Sequence, residues 1–373
     1  MKINILDPNL SQSDTFNLKF YECLKRSKNF NNFKIFGNLN IENSLKKKFN
    51  IQPIFNVKIN PRVNKDYTKS YYYLKNKFIE ALNNNQNLSG SILLYNTTLC
   101  YIEAMIEWII TNNYNYNVYL EIPTLLGSTQ KNKFFLFEKK RCDYIKKLIK
   151  NKKNIFFISH FQTSSERLKT LFKPKIKNLN FPIKLQDYKL QQKRIKKNRK
   201  FTIGFLGEQR FNKGLKLIPK IISNLNSYKN LKITVHDPSK NFNNFFKKKY
   251  SDVKFEMKKF DNKNFINFLN KFDIIIFPYN AHRYKFSYSS TLIDAILFEK
   301  IIVVPNNTIL SKTISSKNRK KFSFQNWNAN SISSKTLKLI NKFSENKIII
   351  KKERINLINK IYKKNYSFDS LKF

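Results

Sequence analysis

The chain has 373 residues, of which 41% are hydrophobic and 15% aromatic, with only 10 prolines and 6 glycines. This composition excludes a disordered or collagen-like chain, and the length favours two domains of ordinary size. The net charge of +48 suggests nucleic acid or an anionic surface as partner. However, lysine is abundant together with Asn, Ile, Phe and Tyr, all of which A/T-rich codons encode. A genome-wide base bias therefore explains the charge better than selected nucleic-acid binding.

The first 183 residues alternate between strand and helix patterns. The predicted strands are the alternating segment MKINILD, then FKIFGN, IQPIFNVKI, SILLYNTT, NVYLEIPT and NIFFISH. The predicted helices are Asp14 to Lys25, Tyr67 to Leu82, Leu99 to Ile110, Phe134 to Lys150 and the segment SSERLKTLF. Since strands that alternate with helices form parallel sheets, we expect an α/β, doubly wound, Rossmann-like N-terminal domain at residues 1–183.

Residues 184–200 and the region after them differ in pattern. The stretch 184–200 is polar and basic with little apolar periodicity, which favours an interdomain linker over a surface helix. The predicted strands then resume with FTIGFLG, LKITVHD, the weaker VKFEMKKF, FDIIIFP and IIVVP. The predicted helices are Leu215 to Leu225, Asn264 to Lys271, one that starts near Ser289, and Ser334 to Phe343, with SKTISSKNRKK as a loop. A second Rossmann-like domain is therefore expected at residues 201–345, followed by a basic amphipathic helix, Lys347 to Tyr366.

The first candidate site follows the strand FTIGFLG, which runs through GEQRFNKG into a helix. Gly207 closes the strand and Gly214 opens the helix. Glycine lets backbone amides approach a phosphate, and Arg210 and Lys213 can supply positive charge. Neither the Walker signature nor the dinucleotide G-x-G-x-x-G occurs. The alternative is an ordinary strand-to-helix turn with solvated charges.

The second candidate site is the loop from Asn280 to Ser290, between the strand FDIIIFP and a helix. Ser289, Ser290 and Thr291 crowd the start of that helix. Ligands of open α/β sheets bind outside the carboxyl ends of the strands, where a helix N-terminus offers N–H groups to an anion. Asp294 follows in the same helix. By itself it could equally be a carboxylate that caps the helix from Thr291.

Together, these segments resemble the donor-binding region of two-domain (GT-B) glycosyltransferases of the group 1 type. Gly207, Lys213 and Gly214 match the signature G-x-x-x-x-x-K-G, and Arg210 matches a G-x-x-R-x-x-K-G subset associated with bacterial polysaccharide enzymes. The second motif is matched by Pro278 with Tyr279, Ser289 with Ser290, Asp294 with Ala295, and Val303 to Pro305. The resemblance implies that the lysine, the arginine and the serine turn bind the donor diphosphate and that Asp294 binds the ribose.

The chain departs from this family at several positions. It has Asp294 in place of Glu and Ser290 in place of Gly, and Phe286 stands where the family has its earlier glutamate. The glycine-rich first loop is replaced by the segment DPNLSQSDTF, and the histidine after a middle strand by EIPT. Catalytic residues therefore cannot be transferred. His160, at the end of the predicted strand NIFFISH, is the candidate that remains, although a lone histidine more often caps or packs in a core.

The resemblance implies a glycosyltransferase that moves a sugar from a nucleotide-diphosphate donor to a glycan or lipid-linked glycan, in cell-envelope polysaccharide or lipopolysaccharide synthesis. It further implies retention of the anomeric configuration, domains that face a cleft, and a last helix, within 346–373, that packs on the N-terminal domain. We expect no cofactor and no metal, because the three histidines and the cysteines Cys23, Cys100 and Cys142 lack ligand spacing.

Two alternatives stay open, a sugar-nucleotide epimerase of the same fold and a non-catalytic basic nucleic-acid-binding protein. The lysines and arginines fall on most predicted helices, so no specific nucleic-acid partner is expected. The first residues, MKINILDPNL, show no apolar signal region, and no apolar run reaches the ~20 residues of a spanning helix. We therefore expect a cytoplasmic protein, peripheral at the anionic inner face of the cytoplasmic membrane.

Overall fold

The computed structural model describes residues 2–10, 20–22, 24–25, 30–56, 66–85, 88–95, 97–122, 134–159, 168–178, 200–228, 230–242, 253–285, 287 and 289–362. The chain divides into two compact units, the first made of residues 1–183 with 364–373 and the second of residues 184–363. All of the predicted linker except Lys200 lies outside the described residues, so the predicted domain boundaries stay predictions.

The first unit contains a seven-stranded sheet in the order β3-β2-β1-β4-β5-β6-β7, with every neighbouring pair parallel. Its strands are β1 (Ile3–Leu6), β2 (Phe33–Asn38), β3 (Ile51–Phe55), β4 (Ser91–Leu94), β5 (Val118–Glu121), β6 (Ile155–Ser159) and β7 (Lys175–Asn178). Its helices are α1 (Asn43–Phe49), α2 (Tyr67–Asn83), α3 (Leu99–Thr111) and α4 (Phe135–Ile149). A short 3-10 turn at Phe30–Asn32 precedes β2.

Helices cover both faces of this sheet, which is why its apolar residues fall into two clusters. One cluster contains the buried residues of α2, α3 and α4, and the other those of α1 and the segment around Phe20. The central strand β1 is buried along its whole length, including Asn4, whose amide donates to Ser89 O. The alternation of apolar and polar residues in this segment therefore does not mark an exposed face, because a central parallel strand has none.

The second unit contains a six-stranded parallel sheet in the order β10-β9-β8-β11-β12-β13. Its strands are β8 (Phe201–Phe205), β9 (Leu231–His236), β10 (Val253–Glu256), β11 (Ile274–Ile276), β12 (Ile301–Pro305) and β13 (Ser323–Phe324). Its helices are α5 (Ile218–Asn226), α6 (Asn262–Leu269), α7 (Ser290–Leu297), α8 (Ile309–Lys312), α9 (Ser316–Phe322), α10 (Ala329–Asn341) and α11 (Phe343–Tyr362). Counted within each unit, both sheets contain the order 3-2-1-4-5-6, to which the first sheet adds a seventh strand. This order confirms the doubly wound parallel prediction.

The segment SKTISSKNRKK, predicted as a loop, is instead largely helical. It contributes to α8 and α9, and Thr308 and Ser311 form a capping box at the start of α8. Both helices are too short for an apolar period to show in the sequence. Three further elements, the helix α1 and the strands β7 and β13, were also missing from the sequence-based assignment.

The last described helix, α11, packs within the second unit. It contacts α7, α10 and β12, and Arg354 donates from Nε to Leu297 O at 2.8 Å. Glu353 accepts from the Ser315 backbone N–H at 2.9 Å. The predicted packing of residues 346–373 on the N-terminal domain stays a prediction, since residues after Tyr362 lie outside the described ranges. None of the helices in those ranges combines the length and apolarity that crossing a bilayer requires.

Candidate functional site

The two candidate motifs follow β8 and β11, the adjacent strands at which the order of the second sheet reverses. This is the switch point at which ligands of doubly wound folds bind. We call residues 207–214 the glycine loop. Asn280 donates its backbone N–H to Asn212 O at 2.9 Å, so the glycine loop and the segment after β11 are joined directly.

Gly214 makes the close approach of these segments possible. Its φ is +85°, and a Cβ at this position would overlap the carbonyl group of Pro278. The same Pro278 carbonyl oxygen accepts a hydrogen bond from Trp327 Nε1 at 2.9 Å. Trp327 follows β13 and is 40% exposed. It belongs to the site although nothing in the sequence around it pointed there.

Lys213 belongs to the glycine loop, extends toward the segment after β11 and is half-buried. Its ammonium is 5.6 Å from the centre of the Tyr279 ring and close to Gly207, where a Cβ would be 3.7 Å from Nζ. Burial lowers the pKa of Lys213, and the charge of Arg210 lowers it further. No carboxylate among the described residues forms an ion pair with it. An under-solvated cation with no acidic partner is what an anion-binding site requires.

Arg210, by contrast, is exposed and already has a partner. Its guanidinium pairs with the Glu208 carboxylate, and this hydrogen bond raises the pKa of Arg210. An exposed pair of this kind contributes about 0 to 1 kcal/mol. Arg210 can therefore exchange Glu208 for an anionic ligand at little cost.

A histidine at the end of β9 holds the start of the glycine loop. The Gly207 backbone N–H donates to Nδ1 of His236 at 3.1 Å, and Nε2 of His236 lies 3.0 Å from Lys258 O. These partners assign the neutral tautomer with its proton on Nε2. Burial lowers the pKa of His236, which keeps the ring neutral.

Asp237, the next residue, is buried and holds the middle of the loop. It accepts from the backbone N–H of Gln209 at 3.1 Å and from that of Phe242 at 2.6 Å. The Gln209 side chain in turn donates to Gly207 O and His236 O. These bonds fix the backbone on which Lys213 is carried. Both residues stand at the end of the predicted strand LKITVHD, and the sequence alone indicates no role for them.

The N-terminus of α7 forms the other side of the site. Ser289 is the N-cap residue, but its side chain makes no capping bond and instead hydrogen-bonds to Tyr279, whose pKa burial raises to about 12. No described residue accepts a hydrogen bond from the backbone N–H groups of Ser290 and Thr291. These two donors remain available to an anion.

Asp294 lies in the second turn of α7 and is 2% exposed. The N-cap residue is Ser289, and Thr291 lies inside the helix. The alternative in which Asp294 caps the helix from Thr291 is therefore wrong. Its role as ribose ligand stays a prediction. His160 lies outside the described residues, and no three metal-ligating side chains cluster within the described ranges.

Comparison with known proteins finds similarity only in three dimensions. No protein-family model and no curated protein matches the chain. Sucrose-phosphate synthase from Thermosynechococcus elongatus superposes with a TM-score of 0.72 at 10% identity, over 99% of this chain and 96% of that one. HepE from Anabaena, in complex with UDP and glucose, gives 0.68 at 10% identity, over 97% and 95%.

A putative UDP-N-acetylglucosamine 2-epimerase from Listeria monocytogenes is also similar. It gives a TM-score of 0.60 at 11% identity, over 94% of this chain and 90% of that one. At such identities the likeness establishes an architecture, and the chemistry has to be argued from the site.

Proposed function

We propose that this chain, which has the GT-B fold of two parallel-sheet domains, is a glycosyltransferase of the group 1 type. It would take a nucleotide-diphosphate sugar as donor and a glycan or lipid-linked glycan as acceptor, in cell-envelope polysaccharide or lipopolysaccharide synthesis. The observation that carries the proposal is the half-buried ammonium of Lys213 at the switch point. Contact with an anionic membrane surface belongs to the same proposal.

The reaction breaks the bond between the anomeric carbon and the diphosphate oxygen, and the acceptor hydroxyl forms a new bond to that carbon and loses its proton. Negative charge therefore develops on the leaving diphosphate. Lys213, the amides of Ser290 and Thr291, and Arg210 after release from Glu208 would stabilise this charge without a metal. Retention of configuration is proposed from the family resemblance, and no described residue is assigned as nucleophile.

The epimerase alternative is supported by the Listeria neighbour. The two reactions differ in their need for an acceptor. An epimerase converts a nucleotide sugar on its own, whereas a glycosyltransferase releases the nucleoside diphosphate in proportion to acceptor. Product analysis of UDP-, GDP- and ADP-sugars with and without an oligosaccharide acceptor distinguishes them.

Titration calorimetry of the Lys213→Ala variant with UDP, GDP and ADP tests the site. We expect binding to weaken by about 1.5 to 3 kcal/mol, the range for a hydrogen bond to a charged group, or roughly 10- to 100-fold. Lys216→Ala is the matched control, because Lys216 is exposed three residues further on, over the Phe211 ring. If the wild type binds a nucleoside diphosphate and Lys213→Ala binds it equally well, the assignment is wrong.

The role of Asp294 is tested with a ligand that lacks the ribose hydroxyls. We expect the wild type to bind the 2′,3′-dideoxy diphosphate more weakly than the ribonucleotide, and Asp294→Asn to bind both alike. Asp273→Asn, at the opposite end of β11, should keep the preference of the wild type. Equal preference in wild type and Asp294→Asn would show that Asp294 has a structural role only.

A further inference from the structure

A cavity of about 740 Å³ lies in the first unit, where α4 ends and β6 and β7 begin. This is the amino edge of the first sheet. Ligands of doubly wound folds bind at the carboxyl edge, and the candidate donor site lies on the second unit. The cavity is therefore a separate feature, and a ligand bound in it would be independent of the proposed function.

Lysines dominate the wall of this cavity. They are Lys146, Lys147, Lys150, Lys152, Lys173 and Lys175. These are six of the eleven lining residues, whereas lysine and arginine together make up 72 of the 373 residues of the chain. A base bias spread along the whole chain does not explain this local concentration.

The lysines that line this cavity have no acidic partners among the described residues. Lys175 donates to Lys153 O at 3.0 Å, and within the described ranges none of the six lysines forms an ion pair. Asp143, the acid in the lining, is exposed. Elsewhere in the same unit lysines are paired, as Lys75 is with Glu103 and Glu107. Like charges gathered around one space repel each other and are relieved by a bound anion.

Compensation of the helix dipole explains only part of this charge. Lys146 and Lys147 lie in the last turn of α4, where cations are favourable. Lys150 and Lys152 lie beyond the helix. Lys173, before β7, and Lys175, the first residue of β7, come from the other wall. The cations therefore surround the cavity and do not follow one helix end.

Apart from Asp143, the rest of the wall is apolar. Ile149, Ile155 and Phe172 line it with Pro174, and the lysine stems add methylene groups. Lysine binds phosphate as a point charge and needs no fixed geometry. We propose that this cavity binds a phosphate ester with two or more negative charges, whose apolar part lies against the isoleucines and Phe172. The phosphate ester is either a soluble molecule or the headgroup of a lipid.

The test uses the full chain and three probes, namely inorganic pyrophosphate, octyl phosphate, and phosphatidylcholine vesicles with or without phosphatidic acid. The site variant is Lys146→Gln with Lys150→Gln and Lys152→Gln. The control variant is Lys342→Gln with Lys351→Gln and Lys352→Gln, three exposed lysines of the second unit, so both variants lose the same charge. Circular dichroism checks that each variant is folded.

We expect octyl phosphate to bind the wild type more tightly than pyrophosphate, and the site variant to lose about tenfold in affinity while the control variant keeps it. If the wild type cosediments with phosphatidic acid vesicles and the site variant does not, the ligand is a lipid headgroup. If the wild type does not cosediment with them, the ligand is a soluble ester. UDP binding should be unchanged in the site variant. Equal losses in both variants, or no binding of octyl phosphate to the wild type, would overturn the proposal.

Discussion

The two sheets share one strand order, but their first strands end in opposite ways. In the first unit β1 runs into Asp7, a buried carboxylate that accepts from the Asn9 N–H at 3.2 Å and the Tyr21 hydroxyl at 3.0 Å. In the second unit β8 runs into Gly207, with a φ of +88° and the Lys213 ammonium above it. One switch point carries an anion of its own, and the other carries a cation without a carboxylate partner among the described residues.

This difference indicates that the fold alone does not decide which unit takes a diphosphate. A buried carboxylate such as Asp7 repels a phosphate, whereas Gly207 exposes backbone and leaves room for one. The residues that follow the first strand of each sheet therefore favour the second unit as the location of the proposed anion site. Substitutions at and around the two switch points can test this contrast, beginning with the largest expected effect.

Gly214→Ala should have the largest effect, because its Cβ would overlap the Pro278 carbonyl at a positive φ. We expect a loss of about 2 to 4 kcal/mol in the free energy of unfolding, measured with urea. Gly207→Ala is the matched control, since its φ is also positive but its Cβ would meet only the Lys213 Nζ, at an ordinary contact distance of 3.7 Å. It should cost about 1 to 2 kcal/mol. Equal losses in the two variants would show that contact with Pro278 is unimportant.

Asp237→Asn should rank next and should cost more than Asp7→Asn. Asp237 accepts two backbone N–H groups that shape the glycine loop, and an amide would turn a donor toward one of them. We expect about 1 to 3 kcal/mol of stability to be lost, together with nucleoside diphosphate affinity. Asp7→Asn should lower stability and leave that affinity alone. If both variants bind the nucleotide as the wild type does, Asp237 does not support the site.

Acidification should weaken the second unit through His236. The pKa of His236 in the folded protein lies below the ordinary value of 6.5. Its contribution to the free energy of unfolding is therefore complete above pH 6.5 and is lost as the pH falls below that value. The charged groups that act on the ring are Glu256, Asp237 and Lys213. Urea unfolding between pH 8 and 5 should show the loss in the wild type and a smaller one in His236→Gln. His282→Gln, an exposed histidine, should behave as the wild type.

Glu208→Gln should have the smallest effect and the opposite sign. The change frees Arg210 and removes a negative charge from the loop, so nucleoside diphosphate binding should tighten by up to about 1 kcal/mol at low salt. Glu345→Gln, an exposed glutamate on α11, makes the same change in net charge elsewhere. Equal tightening in both variants would mean that only net charge matters.

The parallel sheets could be predicted from the sequence, because continuous apolar runs are local signals. The glycines and the cluster of hydroxyl residues are local signals too, and they located the two segments that the structure joins through Asn280 and Asn212. The sequence did not reveal the contributions of His236, Asp237 and Trp327, which act through partners distant in sequence. Trp327, for example, bonds to a carbonyl 49 residues before it. The short helices α8 and α9 escaped because four and seven residues cannot show a helical period.

The packing of α11 on α7 has a consequence for the order in which the protein is made. The described sheet of the first unit is complete at Asn178, so that unit can begin to fold while the ribosome is still translating. Two contacts that stabilise the end of helix α7 form later. Leu297 O, at the end of the helix, accepts from Arg354, and Glu299 O, just after it, accepts from Lys347, both more than forty residues further along the chain. The proposed anion site is therefore stabilised late, by some of the last described residues to leave the ribosome.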